Sequence, residues 1–266
     1  MFENVVPISP VTHKNAGWVK PANLLFAAEQ TVVPIVVAEV MMLKDMPLAF
    51  TRNAANDAFS LVGIQSLHSG YNVYIDDKGK WVGRYEPLLY RCFPFKMMQI
   101  ENTQKTALCV DSGDFFNIES KESDIRLFND DGSMSEEMTK HLNLVKLYDK
   151  SMGVTRKLVA QLDSLGLIQP WDLHMQAGSL ETAKPIKGLY HVDETALKAL
   201  TAEQHNALVK SGAMALIYGQ LFSQHCVEFI GLQYRLKNEA VTFDSLVDTS
   251  IDELFDEGNK DIFQFD

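Results

Sequence analysis

The chain of 266 residues carries 24 basic against 35 acidic residues, a net charge of −11 and a pI near 5.1, with 46% hydrophobic and 22% charged residues. At that length about 75% of the unfolded chain's surface can be buried without a disulfide or metal staple, and the composition excludes wholesale disorder. The acidic balance disfavours nonspecific binding to nucleic acid or to an anionic membrane.

Residues 1–23 hold Pro7, Pro10 and Pro21 among small polar residues and read as an extended lead-in, without the basic and then apolar regions of a secretory signal. The longest apolar run, Val32 to Leu43, is broken by Pro34 and Glu39 and is too short to cross a bilayer. Its β-branched residues predict a strand, while Pro34 at a helix start leaves a helix over Val36 to Leu43 as the alternative. Pro47 to Thr51 and Phe59 to Gln65 are short strands joined by a turn at Asn53 to Asp57. Tyr71 to Phe95 follows as a hairpin, because runs rich in Val, Ile, Tyr and Trp flank the turn residues Asp76 to Gly79. Thr106 to Asp111 adds another strand. The expectation is an antiparallel sheet built from about residues 47–111, with the 71–95 hairpin at its centre.

The pattern changes after Ser112. Ser133, three residues before Glu136, reads as a capping box. Apolar residues then recur at helical spacing from Met138 to Leu165, predicting one helix, or two broken near Gly153, that ends at Gly166. A connecting loop is expected from Gln169 to Gly188, then a strand over 189–193 and a helix capped by Asp193. Another helix starts at Thr201, Ala213 to Tyr218 is a buried strand or helix start, and Ser223 to Leu236 is amphipathic. The fold class is α+β, with helices of the C-terminal half covering the sheet. Residues 1–237 form one domain, and 238–266 an acidic aromatic segment. Its Phe243, Leu254, Phe255, Phe263 and Phe265 recur among acids at a spacing that suits docking into a partner's groove.

The chemistry-bearing residues are few. Cys92, Cys109 and Cys226 have no metal-ligand or redox spacing, and their odd number suits a reducing compartment. No two of the seven histidines stand at i, i+4, so no metal site is predicted, and Asp76–Gly79 and Asn129–Gly132 lack calcium-loop spacing and read as turns. No Gly-x-Ser-x-Gly elbow or glycine-rich phosphate loop occurs, and no cofactor is implied. Glu39 stands out as a carboxylate amid apolar residues, costly to bury unless paired, with Arg84 or Arg91 as its partner. Asp111, at the end of an apolar strand, is the second candidate acid. Both are equally at home as structural groups, an ion pair for Glu39 and a loop start for Asp111. Trp81, Arg84, Tyr85 and Arg91 are the candidate ligand-binding residues, with core packing the ordinary role of such aromatics.

Several stretches together resemble the SapC family of bacterial proteins: VVPIVVAEV, PLAFT, the segment from Phe59 to Phe95, ALCVDS, LFNDDGSMSEEM, GLYHVDETALKAL and GAMALIYGQLFS. The similarity runs over about residues 5–235. It implies a label taken from a bacterial surface layer, and no catalytic residues that carry over. A histidine is expected where this chain has Gln220. Family members are often encoded near flavin-dependent halogenase-like proteins and outer-membrane receptors, so the resemblance implies an accessory protein whose partner is a halogenase-like protein or a surface component. The resulting expectation is a noncatalytic binding protein of the cytoplasm, export by a C-terminal signal being the other location. The alternatives are an enzyme using Glu39 or Asp111, or a binder of a small molecule or peptide.

Overall fold

The computed structural model describes residues 1–100, 106–122, 124–175 and 184–238. The chain opens with strands β1 (Val5–Pro7), β2 (Gly17–Trp18) and β3 (Val32–Pro34), then the hairpin β4 (Leu48–Arg52) and β5 (Phe59–Ile64). A short helix α1 (Leu88–Cys92) leads into β6 (Phe95–Gln99) and β7 (Thr106–Asp111), followed by the two-residue strands β8 (Phe116–Asn117) and β9 (Ile125–Arg126). The long helix α2 (Glu136–Ser164) precedes β10 (Ile168–Pro170), β11 (Leu173–Met175), β12 (Lys184–Ile186) and β13 (Leu189–Val192). Helices α3 (Glu194–Lys198), α4 (Ala202–Ser211), α5 (Ala213–Ser223) and α6 (Val227–Asn238) end the described chain.

The main sheet is antiparallel with order β10-β13-β4-β5-β3, and β1-β7-β6 and β8-β2-β9 are separate three-stranded sheets. The sheet expected within residues 47–111 is therefore two sheets. β4 and β5 sit in the middle of the first, but their neighbours come from β3 and, far along the chain, β13. The physical reason is burial: Leu61 to Ile64 are buried throughout, so this pair needs strands on both sides and helices above it. The loop expected from Gln169 to Gly188 in fact supplies β10 and the β11–β12 pair.

The hairpin expected over Tyr71 to Phe95 shrinks to its turn, closed by a single bridge between Ile75 and Trp81. The turn itself stands where turn chemistry put it: Asp76 Oδ1 accepts the amides of Lys78 and Lys80, and Gly79 has φ +77°. No ladder extends from it, because side chains and other segments take the backbone groups first. Asn72 accepts the Tyr74 amide and donates to the Ala27 carbonyl, and Pro87 opens α1 where the second strand would have run. The aromatics go into the core instead of a sheet face: Tyr74 stacks on Trp81 at 5.2 Å and its hydroxyl donates to the Asp45 carbonyl.

β3 stops at Pro34, as an edge strand allows, and the chain turns through a single 3-10 turn at Val37–Glu39, shorter than either the strand or the helix expected there. α2 runs unbroken through Gly153 and stops at Gly166, whose φ is +67°. Its cap is Ser135, whose Oγ accepts the Met138 amide, while Ser133 closes the turn before it through Asp131 and Asn129. α2 spans two cores. Its first half, through Met138 and Val145, covers Trp18, Phe95, Val110 and Leu127, and its second, through Leu158, Val159 and Leu162, joins α4 and α5 over the main sheet. Residues 239–266, with Phe243, Leu254, Phe255, Phe263 and Phe265, lie outside the described residues.

Candidate functional site

The 3-10 turn is pinned to α2, since the Val37 amide donates to Thr155 Oγ1 at 2.8 Å, and this pushes Glu39 inward to 1% exposure. Its two oxygens are taken by backbone: Oε1 accepts the Leu88 amide at 2.5 Å and Oε2 the Val36 amide at 3.3 Å. Leu88 is the first residue of α1, whose N–H has no partner within its own helix, so Glu39 acts as a cap supplied from another part of the chain. Burial pushes the Glu39 carboxyl above its ordinary value, while those two amides, the Tyr85 hydroxyl and the Arg91 charge pull it back. Burial, and then the Glu39 charge, push the neighbouring Tyr85 hydroxyl up, while Arg91 pulls it back. Beside them burial and the Glu39 carboxylate push the Cys92 thiol up to about 12, and burial, then Glu39, push Tyr148 up as well. The cluster sets the Glu39 carboxyl and the Arg91 guanidinium beside a thiol and phenols whose burial favours their neutral forms, and it fastens α1 to the 3-10 turn.

Asp111 ends β7 at 6% exposure and is used in the same manner. Oδ2 accepts the Glu3 amide at 2.8 Å and Oδ1 the Gly113 amide at 3.1 Å, so it ties the start of the chain onto the β1–β7 edge. Among the described residues no hydrogen bond or ion pair joins it to Glu39. The two candidate acids do not converge.

Of the four candidate ligand residues, Trp81 is half-buried between Tyr74 and Tyr90 rather than lining a cleft, and its indole N–H has no partner among the described residues. Tyr85 and Arg91 belong to the Glu39 cluster. Arg84 does not pair with Glu39. Its amide donates to Asp45 Oδ2 at 2.7 Å, and its side chain lines an open groove of about 870 Å³.

That groove escaped sequence reasoning because its walls come from three segments distant in the chain: Lys44 and Asp45, Val82 and Arg84, and the face of α6 that carries Phe229 and Leu232. The one available signal was Leu232, an apolar residue left 46% exposed on an amphipathic helix. Its floor holds Cys226 and His225. The His225 Nδ1–H donates to the Phe222 carbonyl, which leaves Nε2 as an acceptor 3.5 Å from the Cys226 sulfur. Burial and the nearby Asp45 carboxylate push that thiol up, the opposite of what a thiolate nucleophile needs. Among the described residues no cluster of three or more His, Cys, Asp or Glu could hold a metal, and no helix is long and apolar enough to cross a membrane. Gln220, where the resemblance implies a histidine, is fully buried and bonded to backbone on both sides.

These elements define an α+β protein of antiparallel sheets under one long helix, with buried acids that serve the backbone and an open groove beside α6. The chain belongs to the SapC family, whose model matches residues 8–229. No curated protein and no solved structure matches the chain.

Proposed function

We propose that this SapC protein is a noncatalytic accessory protein of the cytoplasm that works by binding a protein partner through the groove between Arg84 and α6. The observation that supports this reading most directly is that both acids available for chemistry, Glu39 and Asp111, have each oxygen occupied by a backbone N–H. A general acid or base must instead reach the proton it moves. The groove has the opposite character: it is open, it mixes charge with apolar surface, and its Val82 and Leu232 are 47% and 46% exposed. Such a patch of polar rim and apolar centre is the usual make-up of a protein-docking site.

The partner class follows from the family resemblance: a flavin-dependent halogenase-like protein or a surface component. The test mixes the purified chain with the halogenase-like protein and measures the complex by calorimetry, for the unaltered chain and for the Val82→Asp, Leu232→Asp variant. Binding by the first and its loss in the second, with unchanged unfolding midpoint, is the expected result. Equal binding by both would remove the groove from the reading. A turnover that disappears in Glu39→Gln while the fold is kept would replace the whole reading by an enzymatic one.

A further inference from the structure

The groove is lined by α6, the helix on which the described chain ends. Its α6 wall carries Phe229 and Leu232, and α6 runs on to Asn238, beyond which residues 239–266 lie outside the described residues. Those residues hold nine of the chain's 35 acidic residues and one of its 24 basic ones. Between Phe243 and Phe255 the apolar positions are Phe243, Leu246, Val247, Ile251, Leu254 and Phe255, a 3-and-4 spacing that places them on one helical half, with Asp248, Asp252 and Glu253 off it and Asp244 alone among the acids within it.

We propose that in the free protein this stripe, residues 243–255, folds back antiparallel to α6 and occupies the groove in cis. Three features of the groove fit that occupant. Its apolar surface, Val82, Phe229 and Leu232, matches a stripe of large side chains, and 870 Å³ has room for a few of them. Its far wall presents Lys44 and Arg84, neither of which is in an ion pair among the described residues. Two acids, Asp45 and Glu228, line the groove as well; Asp45 accepts the Arg84 amide, and the contact with the tail's carboxylates is assigned to the Lys44 and Arg84 side chains. The connection is short enough to favour the intramolecular contact: residues 239–242 span up to about 13 Å, the reach of a tight helix–helix turn, and tethering keeps the local concentration high. This contact stands whether or not the groove later receives a partner. Where it does, the partner must displace the tail.

The experiment uses the full chain with a photoreactive benzoylphenylalanine in place of Leu232 or of Val82, irradiated when dilute, the adducts then being mapped by mass spectrometry. The expected result is an adduct within one chain between the probe and residues 243–255. Adducts only to other regions, or only in a species of two chains, overturn the proposal, the latter assigning the groove to a second copy. Two companions guard against chance contact. Leu254→Asp with Phe255→Asp should abolish the adduct, and Lys44→Glu with Arg84→Glu should lower its yield by about fivefold, the scale of two exposed ion pairs. An adduct that survives the first pair unchanged also overturns the proposal. Because this readout needs no partner, it can fail while the partner reading stands, and the reverse.

Discussion

Leu48 and Val192 stand opposite one another where the β4–β13 ladder should gain its next rung, and the side-chain amide of Gln220 fills the gap between them. The register that pairs Leu189 with Thr51 and Tyr190 with Phe50 carries on to this pair. Gln220 Oε1 accepts the Val192 amide at 3.0 Å, and its Nε2 donates to the Leu48 carbonyl at 3.1 Å. Ser223 completes the stitch, accepting the Leu48 amide at 2.9 Å and donating to the Gln220 carbonyl at 2.7 Å. Two polar side chains of α5 thus replace a backbone rung and lock the helix to the sheet. Gln220→Leu would leave a buried N–H and a buried C=O unpaired, a loss of roughly 2 to 6 kcal/mol at about 1 to 3 per group. Urea unfolding measures it. A loss under about 0.5 kcal/mol, the scale of surface changes, would mean that the strands close up and pair directly.

Asp111 supports a local prediction. With the carboxylate truncated in Asp111→Ala, the Glu3 and Gly113 amides lose their acceptor. The unfolding free energy should fall by roughly 1 to 3 kcal/mol. Hydrogen exchange should quicken first at Glu3, before the core strand Leu61 to Ile64 responds. Uniform exchange acceleration throughout the chain would show that β1 does not detach on its own.

Two helical glycines predict opposite signs. A Cβ at Gly219 would collide with the Val40 side chain, so close packing of α5 on the turn after Glu39 requires hydrogen there. Gly219→Ala should destabilise by about 1 to 3 kcal/mol, the usual overpacking range. Gly153 lies within α2, and a methyl group added there would meet nothing within 4 Å. Gly153→Ala should therefore stabilise by about 0.5 to 1 kcal/mol through backbone entropy alone. Thermal midpoints of the two variants should move in opposite directions, and a shared direction contradicts the packing described.

What was legible in the sequence was local chemistry. The Asp76 turn, the β4–β5 pair, the Asp193 and Thr201 caps and the long helix could all be read from residues within a few positions of each other. What was not legible depends on partners far away in the chain. Val73 to Ile75 and Trp81 have strand-like composition, yet Asn72 and Asp45 claim their neighbourhood and turn the segment into core packing. Glu39 could be singled out as a buried acid. That its oxygens meet backbone amides, one at Leu88 49 residues on, required the fold. The groove was hidden for the same reason, since no single stretch of sequence holds more than one of its walls.

Glu39 gives the last prediction, in which pH separates its charge from its hydrogen bonds. Its folded-state pKa is raised, chiefly by burial, above the ordinary glutamate value of about 4.3. In the window between those two values the native state holds a proton that the unfolded chain has released, so the unfolding free energy falls as pH rises. The contribution is complete below the unfolded value and is lost as pH climbs through the raised one. Glu39→Gln has no such titration, but it points an amide N–H at a backbone donor and should cost roughly 1 to 3 kcal/mol at neutral pH. Unfolding midpoints of the unaltered chain and of Glu39→Gln should therefore diverge as pH is lowered from 7 towards about 4.5, the unaltered chain gaining on the variant. A difference that stays flat over that range would mean that the two backbone amides, Tyr85 and Arg91 fully offset burial, and the raised pKa of Glu39 would be wrong.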